Sequence, residues 1–232
     1  MMKVYDGREE IINLKVNTAG TPAVKKPAYY VGLDLGQSQD YSALVIMERQ
    51  GDSKETYTFH CRHLQRWQLR TAYPTIVAET VQIMNSEQIQ QGAPRILAVD
   101  ATGVGAPVID LFKRERLQAK LEPIQIVAGS NVTRENGVRR VPKRDLVSTV
   151  QVYLQSKRLK IARQLDLAET LTRELQDFKV KITDAANDTY GVWREGAHDD
   201  LVLAAALALW TGTEIKPSVF YTESNYFSQR SY

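Results

Sequence analysis

Gly196-Ala197-His198-Asp199-Asp200-Leu201-Val202-Leu203-Ala204-Ala205-Ala206-Leu207-Ala208-Leu209-Trp210 is the stretch that decides the fold. Two adjacent carboxylates open a run that is apolar on every side. Leu and Ala are strong helix formers, and apolarity all round marks a helix enclosed by a core. At about three turns the run is far too short to cross a bilayer. It predicts a buried helix over 198–211, with Asp199 and Asp200 at its N-terminal mouth. One Asp there is accounted for by capping and by the helix dipole. A second like charge beside it is repelled, unless a cation sits between the pair and further ligands. The rest of the chain therefore has to be searched for carboxylates that reach the same place.

Outward from this helix, 28–35 reads as a buried strand, Tyr29-Tyr30-Val31-Gly32-Leu33-Asp34-Leu35, ending in the turn that contains Asp40. Strands follow over 41–49 and 56–64, joined by a Gly51-Asp52 turn, which makes an antiparallel meander of three. The spacing of Ile76, Val77, Thr80, Val81 and Met84 predicts a helix over 74–91. Strand 95–100 closes on Asp100, a helix runs over about 107–118, and 122–127 is another strand. Helical crossovers between strands imply parallel neighbours in one mixed α/β sheet flanked by helices. The segment 129–140 is turn-rich, with Asn136-Gly137 a hairpin signal. Helices over 142–155 and 166–177 bracket a short strand at 158–162. Segments 178–182 and 189–194 read as a hairpin. Residues 1–27 have the composition of a leader or linker, 28–212 form the principal domain, and 213–232 read as an extended or disordered tail.

Composition bounds the chemistry. The 232 residues are 43% hydrophobic, enough for a substantial core. Net charge is +3, which favours an anionic partner only weakly. The single cysteine, Cys61, excludes an internal disulfide and a cysteine-built zinc site, and suits a reducing cytoplasm. The charged opening lacks an apolar signal core, and no window has transmembrane length. Charge is distributed unevenly. From Asn131 to Arg163 there are nine basic residues (Arg134, Arg139, Arg140, Lys143, Arg144, Lys157, Arg158, Lys160, Arg163) against two acidic ones, Glu135 and Asp145. Such an excess suits phosphate contact by counterion release, although a solvated helix face has the same composition. No base-reading module is visible, so backbone contacts with weak sequence preference are expected. Arg139, Arg140, Lys143 and Arg144 are the candidate DNA contacts.

Asp34 lies near the end of the first strand, Asp100 at the end of the fourth, and Asp199 and Asp200 open the last helix. Adjacent parallel strands end at one sheet edge, where sites form. Oxygen-only ligation suits Mg²⁺ or Mn²⁺, and two such ions about 4 Å apart can support in-line displacement at phosphorus. Each Asp also has a plainer reading as a turn or cap residue. His198 and Asp40 are possible auxiliaries at the rim.

Four segments in order, Val31-Gly32-Leu33-Asp34-Leu35-Gly36, Val99-Asp100-Ala101-Thr102-Gly103-Val104-Gly105, Val141-Pro142-Lys143-Arg144-Asp145-Leu146-Val147 and His198-Asp199-Asp200-Leu201-Val202, resemble the nuclease domain of the large terminase subunit of tailed bacteriophages. The resemblance implies an RNase H-like fold of the ribonuclease H/integrase superfamily. It implies an endonuclease that cuts double-stranded DNA with two divalent metals during viral genome packaging. By position it makes Asp34, Asp100 and Asp200 the metal ligands and Asp199 an auxiliary one. It also implies partners: the terminase ATPase domain, the small terminase subunit and the portal protein. The chain departs from the full-length pattern in having no Gly-x-x-x-x-Gly-Lys-[Ser/Thr] motif, which fits an excised domain or a standalone relative. Three other readings stand beside this one. A Holliday-junction resolvase shares the fold. A sugar-kinase or Hsp70-like ATPase half resembles Gly32-Leu33-Asp34-Leu35-Gly36. A non-catalytic DNA-binding assembly module accounts for the basic stretch alone.

Overall fold

The structure, a computed structural model, describes residues 26–36, 40–103, 105–177 and 199–215. The elements in chain order are strands Ala28–Asp34 (β1), Ala43–Gln50 (β2) and Thr58–Arg66 (β3), helices Tyr73–Met84 (α1) and Glu87–Gln90 (α2), strand Arg95–Asp100 (β4), helix Gly105–Arg114 (α3), strands Lys120–Val127 (β5), Thr133–Glu135 (β6) and Val138–Pro142 (β7), helix Lys143–Gln155 (α4), strand Leu159–Ile161 (β8), and helices Ala168–Asp177 (α5) and Asp200–Glu214 (α6). The strands form one eight-stranded sheet in the order β6-β7-β5-β4-β1-β2-β3-β8. The meander β1-β2-β3 is antiparallel, and β1, β4, β5 and β7 run parallel, as the alternation of strands and helices requires.

Strand alternation sorts the core into two layers. Val31, Leu33, Leu44, Ile46, Leu97 and Val99 face α1, α2 and α3, with Ile76, Met84, Val108 and Phe112 above them. Tyr30, Val45, Met47, Ile96, Ala98, Ile124 and Val141 face the opposite way, onto α6, α4 and α5. The apolar run behaves as its composition demands: from Asp200 to Gly212 nearly every α6 residue is buried. Its alanines have a second use. A Cβ on Gly32 would stand 1.9 Å from the Ala204 carbonyl oxygen, so α6 lies almost on the backbone of β1. A glycine beneath a stripe of Ala204, Ala205 and Ala208 is what permits that approach. At the far end Arg49 lies over the rings of Tyr30 and Tyr57 and donates from Nη1 to the Gly212 carbonyl at 2.5 Å. It thereby satisfies one of the helix's last carbonyls.

Three boundaries differ from expectation. The helix predicted over 74–91 is two helices: Asn85 caps the first, its N–H still donating to the Val81 carbonyl at 2.9 Å, while its side chain bonds a later segment of the chain. Its Nδ2 donates to the Arg116 carbonyl, and its Oδ1 accepts from the Gln118 N–H. The same bonds stop α3 at Arg114, short of 118. The final helix begins at Asp200 and continues to Glu214. Asn136-Gly137 does make the β6–β7 turn, with both residues at positive φ, 49° and 81°. The leader over 1–25, the hairpin expected over 178–194 and most of the tail lie outside the described residues. Among those described, no helix is long and apolar enough to cross a membrane.

Candidate metal and nuclease site

Register and parity bring the carboxylates together. Asp34 shares its face of β1 with Tyr30 and Gly32, and Asp100 shares its face of β4 with Ile96 and Ala98, so both point toward the α6 layer. β1 and β4 are parallel neighbours, so the two Asp residues stand at the same end of the sheet. The close seat of α6 on Gly32 sets the N-terminus of that helix over this edge. Asp34, Asp100 and Asp200 are all buried, at 8%, 9% and 3% exposure. Asp199 is half-buried and Asp40 is exposed at the rim. His198 lies outside the described residues.

Their electrostatics register the crowding. The Asp34 carboxyl is pushed well above the usual range, first by burial and then by the charges of Asp100, Asp200, Asp199 and Asp40 in turn. Asp199 is pushed up to about 6 by burial and by Asp200, against the pull of Lys143. Asp100 is raised by burial, while hydrogen bonding from Thr102, through its side chain and through its N–H 2.8 Å from Asp100 Oδ1, draws it back. The N–H bond is the ordinary turn role of a strand-end Asp. The backbone after β1 is tied down by Tyr73, whose hydroxyl donates to the Gly36 carbonyl at 3.0 Å, and by the Ser42 hydroxyl, which accepts from the Gly36 N–H at 3.1 Å.

Two residues that carry no motif complete the wall. Arg66, at the end of β3, lies over the Tyr41 ring, pairs through Nη2 with Glu174 of α5, and stands 3.2 Å from Asp200 Oδ2. The other Glu174 oxygen accepts from the N–H groups of Leu201 and Val202 at 3.1 and 3.2 Å. No sequence signal marks either residue, because their meeting spans 108 positions of chain. Lys143, the first residue of α4, is half-buried with its ammonium pKa lowered by burial. The Asp199 charge opposes that shift, which places Lys143 within electrostatic reach of the cluster.

The other basic candidates are disposed differently. Arg139 is turned inward: its Nε donates at 2.9 Å to Glu122, a fully buried carboxylate, and its guanidinium lies over Trp210. Arg134 also reaches Glu122, at 2.8 Å, and the Lys120 ammonium is 3.1 Å from its second oxygen. Arg140 pairs with Glu135 across the exposed hairpin, and Arg144 donates to the Ser130 carbonyl. Arg158 is spent on the carbonyls of Lys54, Glu55 and Tyr57. Much of the basic stretch therefore has partners within the chain.

Among the described residues, the donor set at the sheet edge is oxygen only, carried by three separate elements, and negative beyond what Arg66 and Lys143 offset. That is the chemistry of a hard divalent cation's site. Among the described residues no three His, Cys, Asp or Glu side chains are drawn together to ligating distance. Mutually repelling carboxylates have no reason to close up without a cation between them.

Comparison with known proteins agrees with the fold. Residues 31–211 match the family model described as the terminase RNaseH-like domain. Among solved structures, the large terminase nuclease from thermophilic phage G20c is similar at 19% identity and a TM-score of 0.51, over 80% of this chain and 84% of that one. The human cytomegalovirus terminase nuclease domain, soaked with Mn and bound to an inhibitor, is similar at 13% identity and a TM-score of 0.54, over 82% of this chain and 84% of that one. The same viral domain soaked with Mn alone gives 14% identity and a TM-score of 0.52, over 90% and 95%. No curated protein sequence matches. At these identities the solved structures speak to the fold, which is RNase H-like. With a family model spanning well over half of its length, the chain belongs to the terminase RNase H-like domain family.

Proposed function

We propose that this chain is a metal-dependent endonuclease that cleaves double-stranded DNA with little sequence preference, as the nuclease of a viral genome-packaging terminase. The observation that carries the reading is the convergence of Asp34, Asp100 and Asp200 from three elements, felt by Asp34 as a carboxyl pushed far above its usual range. Charge of this kind, gathered at the edge where parallel strands end, is destabilising in the metal-free chain and is explained by a ligand that neutralises it.

In this reading Asp34, Asp100 and Asp200 hold two divalent ions, Mg²⁺ or Mn²⁺, with Asp199 as an auxiliary ligand. The cytomegalovirus terminase nuclease domain was solved after soaking with Mn, which supports divalent metal use. Bound ions of this class supply Lewis acidity at the phosphate and bring the pKa of water toward neutrality. The chain's own residues do the rest. Arg66, 3.2 Å from Asp200 Oδ2, sets a positive charge against that carboxylate. Lys143, at the N-terminus of α4, adds a positive charge and a helix N-terminus beside the cluster, both suited to a phosphate. Arg144, the next residue of α4, and Arg140, on β7, are partly exposed, and in this reading they contact the DNA backbone. The partners belonging to this role are DNA and the other parts of the packaging motor, the ATPase domain, small terminase subunit and portal.

The test is plasmid cleavage in Mg²⁺ and then Mn²⁺, with Asp34→Asn beside the wild type. Nicking and linearisation by the wild type alone supports the reading. Equal cutting by Asp34→Asn overturns it. DNA binding by both chains without cleavage under either metal favours the assembly-module reading instead.

A further inference from the structure

Asp199 occupies the N-cap position of α6, yet its side chain makes no capping hydrogen bond, and its backbone, at φ −127° and ψ 15°, is not in the extended conformation usual for a cap. The amides an N-cap normally serves, those of Leu201 and Val202, are taken instead by Glu174 of another helix. Glu174 is in turn oriented by Arg66, whose Nη2 it shares with Asp200. One carboxylate thus does what two adjacent Asp residues were placed to do, and both are released from it.

We infer that Glu174 is a positioning residue that caps α6 in place of Asp199, so that Asp199 and Asp200 can both turn their carboxylates to a divalent cation, with Arg66 aligning the two helices through Glu174 and Asp200. The inference rests on the metal-site reading above and deepens it. An Asp-Asp pair at a helix start is ordinarily half consumed by the helix itself. A surrogate cap supplied from elsewhere leaves both members for ligation. Glu174 touches neither substrate nor metal in this account, and acts through the α6 N-terminus.

The experiment uses the full chain and Mn²⁺ as probe. Wild type, Glu174→Ala and Glu174→Gln are titrated with Mn²⁺ by calorimetry, and amide hydrogen exchange of Leu201 and Val202 is followed without metal. Glu174→Ala is expected to weaken Mn²⁺ binding about 10- to 100-fold, the usual effect of losing an outer-shell support. It should also speed exchange of those two amides, which have no partner within the helix. Glu174→Gln keeps an oxygen acceptor for the amides and is expected to recover most of both properties. Unchanged Mn²⁺ affinity in Glu174→Ala overturns the inference while leaving the metal site standing. Unprotected Leu201 and Val202 amides in the wild type overturn it as well. Should Glu174→Ala fail to fold, the glutamine variant decides: Mn²⁺ affinity as low as that of Asp199→Ala, despite protected amides, refutes the capping account. A wild type that binds no Mn²⁺ removes the metal-site reading and this inference together.

Discussion

The α6 layer of the sheet contains two groups of buried acid, and they are built in opposite ways. Glu122 is fully buried and meets three cations, Arg134, Arg139 and Lys120, within 3.1 Å. Among the described residues, the Asp34–Asp100–Asp200 cluster at the sheet edge, with Asp199 at its border, has Arg66 and Lys143 set against it. At Glu122 the chain supplies its own counterions, and the group ties the β6–β7 hairpin to β5. At the sheet edge the described residues carry fewer cations than carboxylates. Buried charges persist when paired and are costly when not. The difference therefore separates a carboxylate kept for structure from carboxylates that await a cation from outside.

The comparison makes predictions of opposite sign. Asp34→Asn is expected to lower metal-dependent plasmid cleavage on the order of 100- to 1000-fold or more, the scale of losing a principal electrostatic group at a reacting centre. The same change should raise the melting temperature of the metal-free chain, because it removes a charge that burial and four other Asp residues disfavour. A drop in metal-free melting temperature in Asp34→Asn would erase the contrast. At the other site, Glu122→Ala strands three cations and is expected to cost about 3–5 kcal/mol. In a chain of this size that lowers the melting temperature by roughly 10 °C, readable by circular dichroism. Gly32→Ala probes the seat of α6 between the two sites. The new Cβ meets the Ala204 carbonyl at 1.9 Å, so the helix must move. We expect overpacking of about 1–3 kcal/mol and a fall in cleavage, since Asp200 travels with the helix.

The smallest effect is the dependence on pH. Asp199 has a folded-state pKa of about 6 against an ordinary 3.8, and Asp34 and Asp100 are shifted the same way. The folded chain then binds protons more tightly than the unfolded one. The stabilisation this gives is complete below the unfolded value and is lost as pH rises through the folded one. Metal-free protein should melt a few degrees higher at pH 5 than at pH 7. Saturating Mn²⁺ should flatten the difference, because the ion takes the place of the protons. A melting temperature that falls from pH 7 to pH 5 without metal would contradict the electrostatic picture of the edge.

Some elements were legible in the chain because their signals are local. The Leu-Ala run of α6, the Asn136-Gly137 turn and the strand closing on Asp100 each follow from short-range periodicity or backbone preference. The end of α1 at Met84 is not legible, because Asn85, innocuous in sequence, has its side-chain partners at Arg116 and Gln118. The basic stretch shows the same limit. Counting charge cannot tell that Arg139 and Arg134 are turned onto a buried Glu122 while Lys143 sits beside Asp199.

The sequence by itself determined the layering of helices on a mixed sheet, the enclosed α6 and the identity of the carboxylates at element ends, since periods of two and 3.6 residues are written in consecutive positions. Only the tertiary structure decided which carboxylates are answered. Glu122 is neutralised by residues from three positions, one on its own strand and two on the β6–β7 hairpin, and Glu174 with Arg66 caps a helix to which neither belongs. Ion pairs and surrogate caps depend on distances between segments far apart in the chain, and those distances exist only once the sheet has formed.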